Sequence, residues 1–284
     1  MRGVYDGGVV TVTSGFPFGT GRASREFRIG GRYVVHPKWV PLAGFPLLEA
    51  ASFPNESLHD RRRKGSGVDF YGIREYRPGD SLRHIHWRST ARRGTPLVRE
   101  YEEQLASRAG IFIDNVTANS AITDPQLELA ISAAASVALY ALDAGHPVSV
   151  ACEGASPDER HLLEPGRIEL LDWMAELRGG DRTSLVELAE RSIEYVRGRS
   201  TNILVFQSLW DAADQAKRAA SLLQAQGTRV IAIVVSARTF GVSDAMDQKA
   251  EGTLIDELHA EHIGVFTVDP ERSLQECLSA PIAA

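Results

Sequence analysis

From residue 109 onward the sequence repeats one pattern: a short apolar run, a polar turn, then a longer amphipathic stretch. The runs are Ile111-Phe112-Ile113, Pro147-Val148-Ser149-Val150-Ala151-Cys152, Asn202-Ile203-Leu204-Val205-Phe206, Arg229-Val230-Ile231-Ala232-Ile233-Val234-Val235 and Gly264-Val265-Phe266-Thr267-Val268. Their apolar residues are consecutive rather than alternate, so these strands must be buried on both faces. The stretches between them have helical spacing. Asp124-Pro125 is an N-cap followed by a proline at the first helical position, Leu127, Ile131, Ala134, Ala138 and Ala141 fall on one face, and Gly145 ends the pattern. Further helices are expected at Gly166–Arg178, Ser184–Val196, Ala212–Gln226 and Thr253–His262. Apolar strands alternating with helices dictate an α/β fold, a Rossmann-like, mostly parallel, doubly wound sheet with a five-strand parallel core.

The 284 residues, 43% of them hydrophobic, suffice for one large domain or a large and a small one. The net charge of −6 conceals an asymmetry. Between Arg61 and Arg99 there are eleven Lys or Arg against three acids (Asp69, Glu75, Asp80), and the acidic excess lies beyond. A basic segment beside an acidic body implies either an anionic partner or a charge match within the chain. Cys152 and Cys277 form no disulfide framework and no metal-ligand spacing, a usage that suits a reducing compartment. No apolar run reaches the ~18–20 residues of a membrane span, and no signal peptide is recognisable. A cytoplasmic protein is expected, with lost or partner segments as a route to membrane association.

Four regions follow from the composition. Residues 1–36 read as short β-strands, with Val9–Thr13 and Arg32–His36 the clearest, punctuated by glycines. Residues 37–64 hold Pro37, Pro41, Pro46 and Pro54 and end in a basic run; they read as an extended linker whose middle, Ala43–Asn55, is expected to be mobile. Residues 65–104 concentrate arginine, glycine and aromatic residues, and residues 105–284 carry the α/β pattern.

Within 65–104, Phe70–Tyr76 and Thr95–Tyr101 read as strands and Arg77-Pro78-Gly79-Asp80 as a turn. Asp80 would cap a short helix over Ser81–Ala91, placing Arg83 and Trp87 at i and i+4 with the guanidinium over the indole.

Several chemistries can be tested against these residues. Gly65-Ser66-Gly67 after Arg61-Arg62-Arg63-Lys64 is a candidate anion cradle, but it lacks the lysine-bearing sequence of a nucleotide loop, and a flexible turn is the simpler reading. Ser89 or Ser81 with His84 or His86 and Asp80 supplies the residue types of nucleophilic catalysis without a nucleophile elbow or oxyanion donors. The arginines with Tyr71, Tyr76, Trp87 and Tyr101 offer phosphate contacts and stacking faces for nucleic acid, which the acidic pI of about 5.8 disfavours. Glu100, Glu102 and Glu103 read as exposed charge or as partners of nearby arginines.

The end of the first apolar strand, Asp114-Asn115-Val116-Thr117-Ala118, resembles the corresponding strand end of a von Willebrand factor A domain, which binds a divalent cation through Asp-x-Ser-x-Ser. Here Val116 and Ala118 stand where two hydroxyls belong, and Gln207 stands where another Asp is often found. The Asp114 site is therefore degenerate, and neither a metal ion nor any other cofactor is expected.

The central stretch is similar to the signature of the DUF58 family through Gly65, Gly67, Asp69, Phe70, Arg74, Tyr76, Gly79, Asp80, Arg83, Ile85, Trp87, Ala91 and Arg92. Arg2-Gly3-x-Tyr5, Phe16-Pro17-Phe18-Gly19 and Val35-His36-Pro37 also resemble the family's β region and its connection. The resemblance implies a von Willebrand A-like C-terminal half and a role in assembling complexes, with a MoxR-type AAA+ ATPase and other von Willebrand A proteins as partners. It also implies membrane helices before the β region, which this sequence does not show. Arg74, Tyr76, Gly79, Asp80, Arg83, Trp87, Arg92 and Arg93 are then the candidate signature residues. Asp80, Arg83 and Trp87 would lock the element, and Arg92, Arg93 and Arg61–Lys64 would face a partner. The expected function is a non-catalytic interaction protein; the alternative is an anion-binding module for nucleic acid or a phosphorylated ligand.

Overall fold

The computed structural model describes residues 2–46, 64–77, 84–102, 108–115, 124–152, 161–179, 185–196, 200–241 and 245–279. In chain order the strands are β1 (Gly3–Asp6), β2 (Val9–Ser14), β3 (Ala23–Arg28), β4 (Arg32–Val35), β5 (Lys64–Glu75), β6 (Leu97–Glu102), β7 (Arg108–Ile113), β8 (Val148–Cys152), β9 (His161–Leu163), β10 (Ser200–Gln207), β11 (Arg229–Val235) and β12 (Gly264–Val268). The helices are α1 (Trp87–Arg93), α2 (Pro125–Asp143), α3 (Arg167–Glu176), α4 (Leu185–Val196), α5 (Trp210–Ala225), α6 (Gln248–Ala260) and α7 (Leu274–Ser279). They fall into two compact units, one made of Met1–Leu48 with Ser107–Ala284, the other of Glu49–Ala106.

The larger unit is built on a six-stranded sheet in the order β12-β11-β10-β7-β8-β9. Its first five strands are parallel, and β9 closes the edge antiparallel to β8. Ile111, Ile113, Val150, Ile203, Val205, Ile231 and Ile233 face one core, with α2. Phe112, Ala151, Leu204, Phe206, Val230, Ala232 and Val234 face the other, with α4, α5 and α6. Neighbouring residues thus enter opposite cores, which is why the strands are apolar at every position. Each fully buried Ile or Phe contributes roughly 1.5–3 kcal/mol. On α2, Ala130, Ala133, Ala134, Ala135, Ala138 and Ala141 are completely buried and let the helix approach the sheet closely. This helix is long and apolar enough by composition to cross a membrane, but twelve of its nineteen residues are buried here, as befits a core helix. Asp124 caps it by accepting from the Gln126 N–H, as expected. At the sheet's centre Gly110 stands opposite Asn202, and a Cβ there would lie 2.4 Å from Asn202 Oδ1.

The first four strands form two consecutive two-stranded pairings, β1 with β4 and β2 with β3, both antiparallel. Gly7 N–H donates to Gly31 O, and Ile29 N–H to Gly8 O, so the two pairings continue as one ribbon. Gly7 is required at this joint, because a Cβ would sit 1.8 Å from Ile29 O. The base of the ribbon is tied to α3. Arg2 donates to the carbonyls of Met174, Ala175 and Leu177, satisfying the helix C-terminus, and its Nε lies 2.9 Å from Glu128 Oε1 on α2. Arg32 pairs with Glu176, and His36 Nε2 lies 2.7 Å from Asp172 Oδ1.

Of the segment Ala43–Asn55 expected to be mobile, only Ala43–Pro46 are described, and these end in a packed Phe45-Pro46. Phe45 is buried and stacks on Phe266 with centroids 4.8 Å apart, and Arg229 donates to Pro46 O at 2.9 Å. Residues 47–63 lie outside the described part of the chain.

In the smaller unit, β5 and β6, separated in the chain by α1, form an antiparallel pair whose register slips between Gly65, Phe70 and Gly72. Gly65-Ser66-Gly67 therefore lies within a strand, Gly65 opposite Tyr101 and the next two residues in the register slip. It is neither a phosphate-cradling loop nor a free turn.

Candidate interaction surface

The described part of the smaller unit is organised by the start of β6. Ile85 bridges Val98, His86 N–H donates to Leu97 O, and Tyr76 N–H donates to Pro96 O. The Thr90 hydroxyl accepts from Leu97 N–H at 3.0 Å. Ile85, Leu97 and Val98 are buried, so this seam holds α1 beside the β5–β6 pair.

Helix α1 runs from Trp87 to Arg93, and its N-cap is His86 rather than Asp80. The expected start at Ser81 lies outside the described residues; α1 itself begins at Trp87, just after the His86 backbone bonds to Leu97. His86 Nδ1 accepts from Ser89 N–H at 3.3 Å and lies 2.7 Å from Ser89 Oγ. The contact of His86 with Ser89, two of the residues weighed for nucleophilic catalysis, is thus an N-cap made within one turn, and no carboxylate among the described residues joins it. At the other end Gly94 adopts the left-handed conformation at φ 73°, its N–H donating to Thr90 O.

No residue of α1 is buried. Trp87 is 68% exposed, and Arg88, Arg92 and Arg93 are exposed with it. Arg88 and Arg92 share a face at i and i+4. No ion pair among the described residues engages any of the three arginines. The helix therefore presents an indole and three guanidinium groups to solvent, and Arg92 and Arg93 also complement the negative end of its dipole.

Of the other signature residues, Tyr76 is half-buried directly after β5, and Arg74 lies on β5, where its backbone is opposite Val98. Gly79, Asp80 and Arg83 lie outside the described residues, as do Arg61, Arg62 and Arg63; Lys64 begins β5 opposite Glu102. The stacking expected between Arg83 and Trp87 falls there too.

In the larger unit the strand order reverses at β7, whose neighbours are β8 and β10, so a ligand crevice is expected outside the carboxyl ends of β7 and β10. Asp114, Asn115, Gln207 and Ser208 stand at those ends and are all buried. The Asn115 side chain donates to Arg178 O at 2.8 Å. Ser208 and Ser236 both donate to Glu251 Oε2 on α6, each at 3.0 Å. Sequence reading missed this cluster, because a serine just past a strand and a helical Glu carry no signal on their own. Among the described residues no three His, Cys, Asp or Glu side chains gather as metal ligands. Val116 and Ala118, which stand in the sequence where two hydroxyls would, lie outside the described residues.

The family model of DUF58, a protein of unknown function, matches residues 72–248, more than half of the chain. The chain belongs to the DUF58 family. The match starts within β5, covers α1 and β6, and continues through β11 to the first residue of α6. DUF58 membership thus takes in both the exposed helix and most of the sheet. No curated protein matches the chain.

Proposed function

We propose that this DUF58 protein is a non-catalytic interaction module whose larger unit is von Willebrand A-like and whose α1 is the recognition element for a protein partner. The observation that carries this reading is the 68% exposure of Trp87 on a helix that buries none of its own residues. Tryptophan and arginine are the side chains that dominate binding energy at protein interfaces. The partner should be acidic where it meets Arg88, Arg92 and Arg93. The resemblance to DUF58 proteins makes a MoxR-type AAA+ ATPase the first candidate.

The test is capture of the purified MoxR-type ATPase from the same genome by the immobilised chain. Trp87→Ala and the Arg92→Ala/Arg93→Ala pair should each weaken capture at least about tenfold, as hot-spot truncation does. Both should melt with the parent, since these side chains are exposed. Undiminished capture by both variants would sink the proposal.

A second reading is favoured by the same three exposed arginines: α1 binds an anion, a nucleic acid or a phosphorylated ligand. Single-stranded DNA is the probe. Under this reading its affinity falls steeply between about 50 and 200 mM salt. No binding at low salt removes it.

A further inference from the structure

The β2–β3 hairpin is exposed along its whole length: all six residues of each strand are open to solvent. Its cross-strand register puts Val10, Val12, Phe27 and Ala23 on one face, together with Arg25, whose guanidinium lies 5.2 Å from the centre of the Phe27 ring. At the turn joining the strands, Phe16 is 90% and Phe18 85% exposed. Two aromatic side chains this exposed at the tip of a β-ribbon have no role in the chain's own core.

The charges are distributed as unevenly as the apolar groups. From Gly7 to Gly21 there is no ionisable side chain, while the returning strand brings Arg22, Arg25 and Arg28 against a single acid, Glu26. At about 3.4 Å per residue, Arg22 and Arg25 lie within roughly 10 Å of the turn. That separation matches the depth between the acyl boundary of a bilayer and its phosphates. Apolar rings leading and guanidinium groups one layer behind fit an anionic lipid surface, with the rings in the interface and the arginines among the headgroups. A second copy of the chain fits worse, because two such faces would bring Arg25 and Phe27 of each against the same residues of the other. The base of the ribbon is meanwhile anchored to α3 through Arg2 and Arg32, so insertion of the tip requires no unfolding of the sheet unit.

We propose that the Phe16–Phe18 turn is an interfacial anchor that docks the chain on anionic phospholipid. The proposal is independent of the partner assigned to α1 and uses none of its residues.

The test is co-sedimentation of the full chain with vesicles of phosphatidylcholine alone and of phosphatidylcholine with 30 mol% phosphatidylglycerol. The parent should partition onto the anionic vesicles and release them as salt is raised, with little binding to the neutral ones. Phe16→Ser/Phe18→Ser should lose at least about tenfold in partitioning, and Arg22→Glu/Arg25→Glu more than about fivefold, consistent with the contribution of basic residues at charged membranes. Both variants alter exposed residues and should melt with the parent, which is to be checked alongside. Since Cys152 and Cys277 are buried, Thr20→Cys can be labelled with an environment-sensitive dye, whose emission should shift to the blue on anionic vesicles alone. No partitioning at low salt, equal binding to neutral vesicles, or unchanged binding by the Phe16→Ser/Phe18→Ser variant overturns the proposal.

Discussion

Arg2 Nε lies 2.9 Å from Glu128 Oε1, so a residue at the very start of the ribbon is paired with the first turn of α2. The Arg2 side chain is only 6% exposed, and burial lowers its pKa below the usual arginine range while Glu128 opposes the shift. Its Nη1 donates to the last carbonyls of α3. Arg2→Met keeps the apolar stem and removes these bonds. It should cost about 2–3 kcal/mol, less than the 3–5 typical of a fully buried pair because Glu128 is a third exposed. The ribbon should then detach before the sheet melts, seen as faster tryptic cleavage at Arg32 together with a lower urea midpoint. A parent-like cleavage rate would mean that Arg2 does not tether the ribbon.

His86 accepts from the Ser89 N–H and caps α1. His86→Ala should destabilise the helix by about 1 kcal/mol, while His86→Asn, a good N-cap, should restore most of the loss. Amide hydrogen exchange at Ser89 and Thr90 reports the effect directly. If the Asn variant exchanges as fast as the Ala variant, the role of His86 is not capping.

The sheet was legible in the sequence because its strands are buried on both faces: Val230–Val235 and Ile203–Phe206 have one apolar reading and one available architecture. Asp124-Pro125 was legible for the same local reason, a cap and a fixed φ adjacent in sequence. Strand β9 was not, since His161-Leu162-Leu163 is too short to show a period and exists only through its pairing to β8. β3 (ASREFR) carries no buried face and is defined by its partner β2. At the candidate surface, the composition of 65–104 singled out the stretch but not where its described helix begins. Asp80 is a good cap by type, yet tertiary bonds from His86 to Leu97 decide where α1 begins. The partners of Arg2 were invisible, because they are main-chain carbonyls more than 170 residues away.

Lys217 joins α5 to α6, with Nζ 2.8 Å from Glu257 Oε2 and 3.3 Å from Asp214 Oδ1. Its pKa is raised above the ordinary 10.5, chiefly by the hydrogen bond to Glu257. A cation whose folded pKa exceeds its unfolded one contributes fully below the unfolded value and loses the contribution as pH rises through the folded value. The contribution is therefore constant across neutral pH and disappears only in the alkaline range above 10.5. Because the two carboxylates are largely exposed, Lys217→Met should cost less than about 1 kcal/mol at pH 7. The difference from the parent should vanish in strongly alkaline buffer, as read from urea midpoints at several pH values. A difference that grows with pH would contradict the assignment.

Glu251 is a buried carboxylate of the sheet unit, 5% exposed on α6. Its Oε2 accepts from Ser208 at the end of β10 and from Ser236 at the end of β11, and Arg238 Nε stands 3.9 Å away. The Ser208 hydroxyl in turn accepts from Ala237 N–H at 2.8 Å. One oxygen thus joins the ends of two central strands to a helix, at a point where no apolar contact could satisfy the hydroxyls. Glu251→Ala leaves both serines buried without their acceptor and should cost about 2–5 kcal/mol. Glu251→Gln retains a carbonyl oxygen in nearly the same place, so its loss should be nearer 1 kcal/mol. A double-mutant cycle with Ser208→Ala separates the bond from simple loss of packing. If the carboxylate acts through Ser208, the two substitutions should be non-additive by about 0.5–3 kcal/mol, whereas strict additivity would reduce Glu251 to a packed side chain.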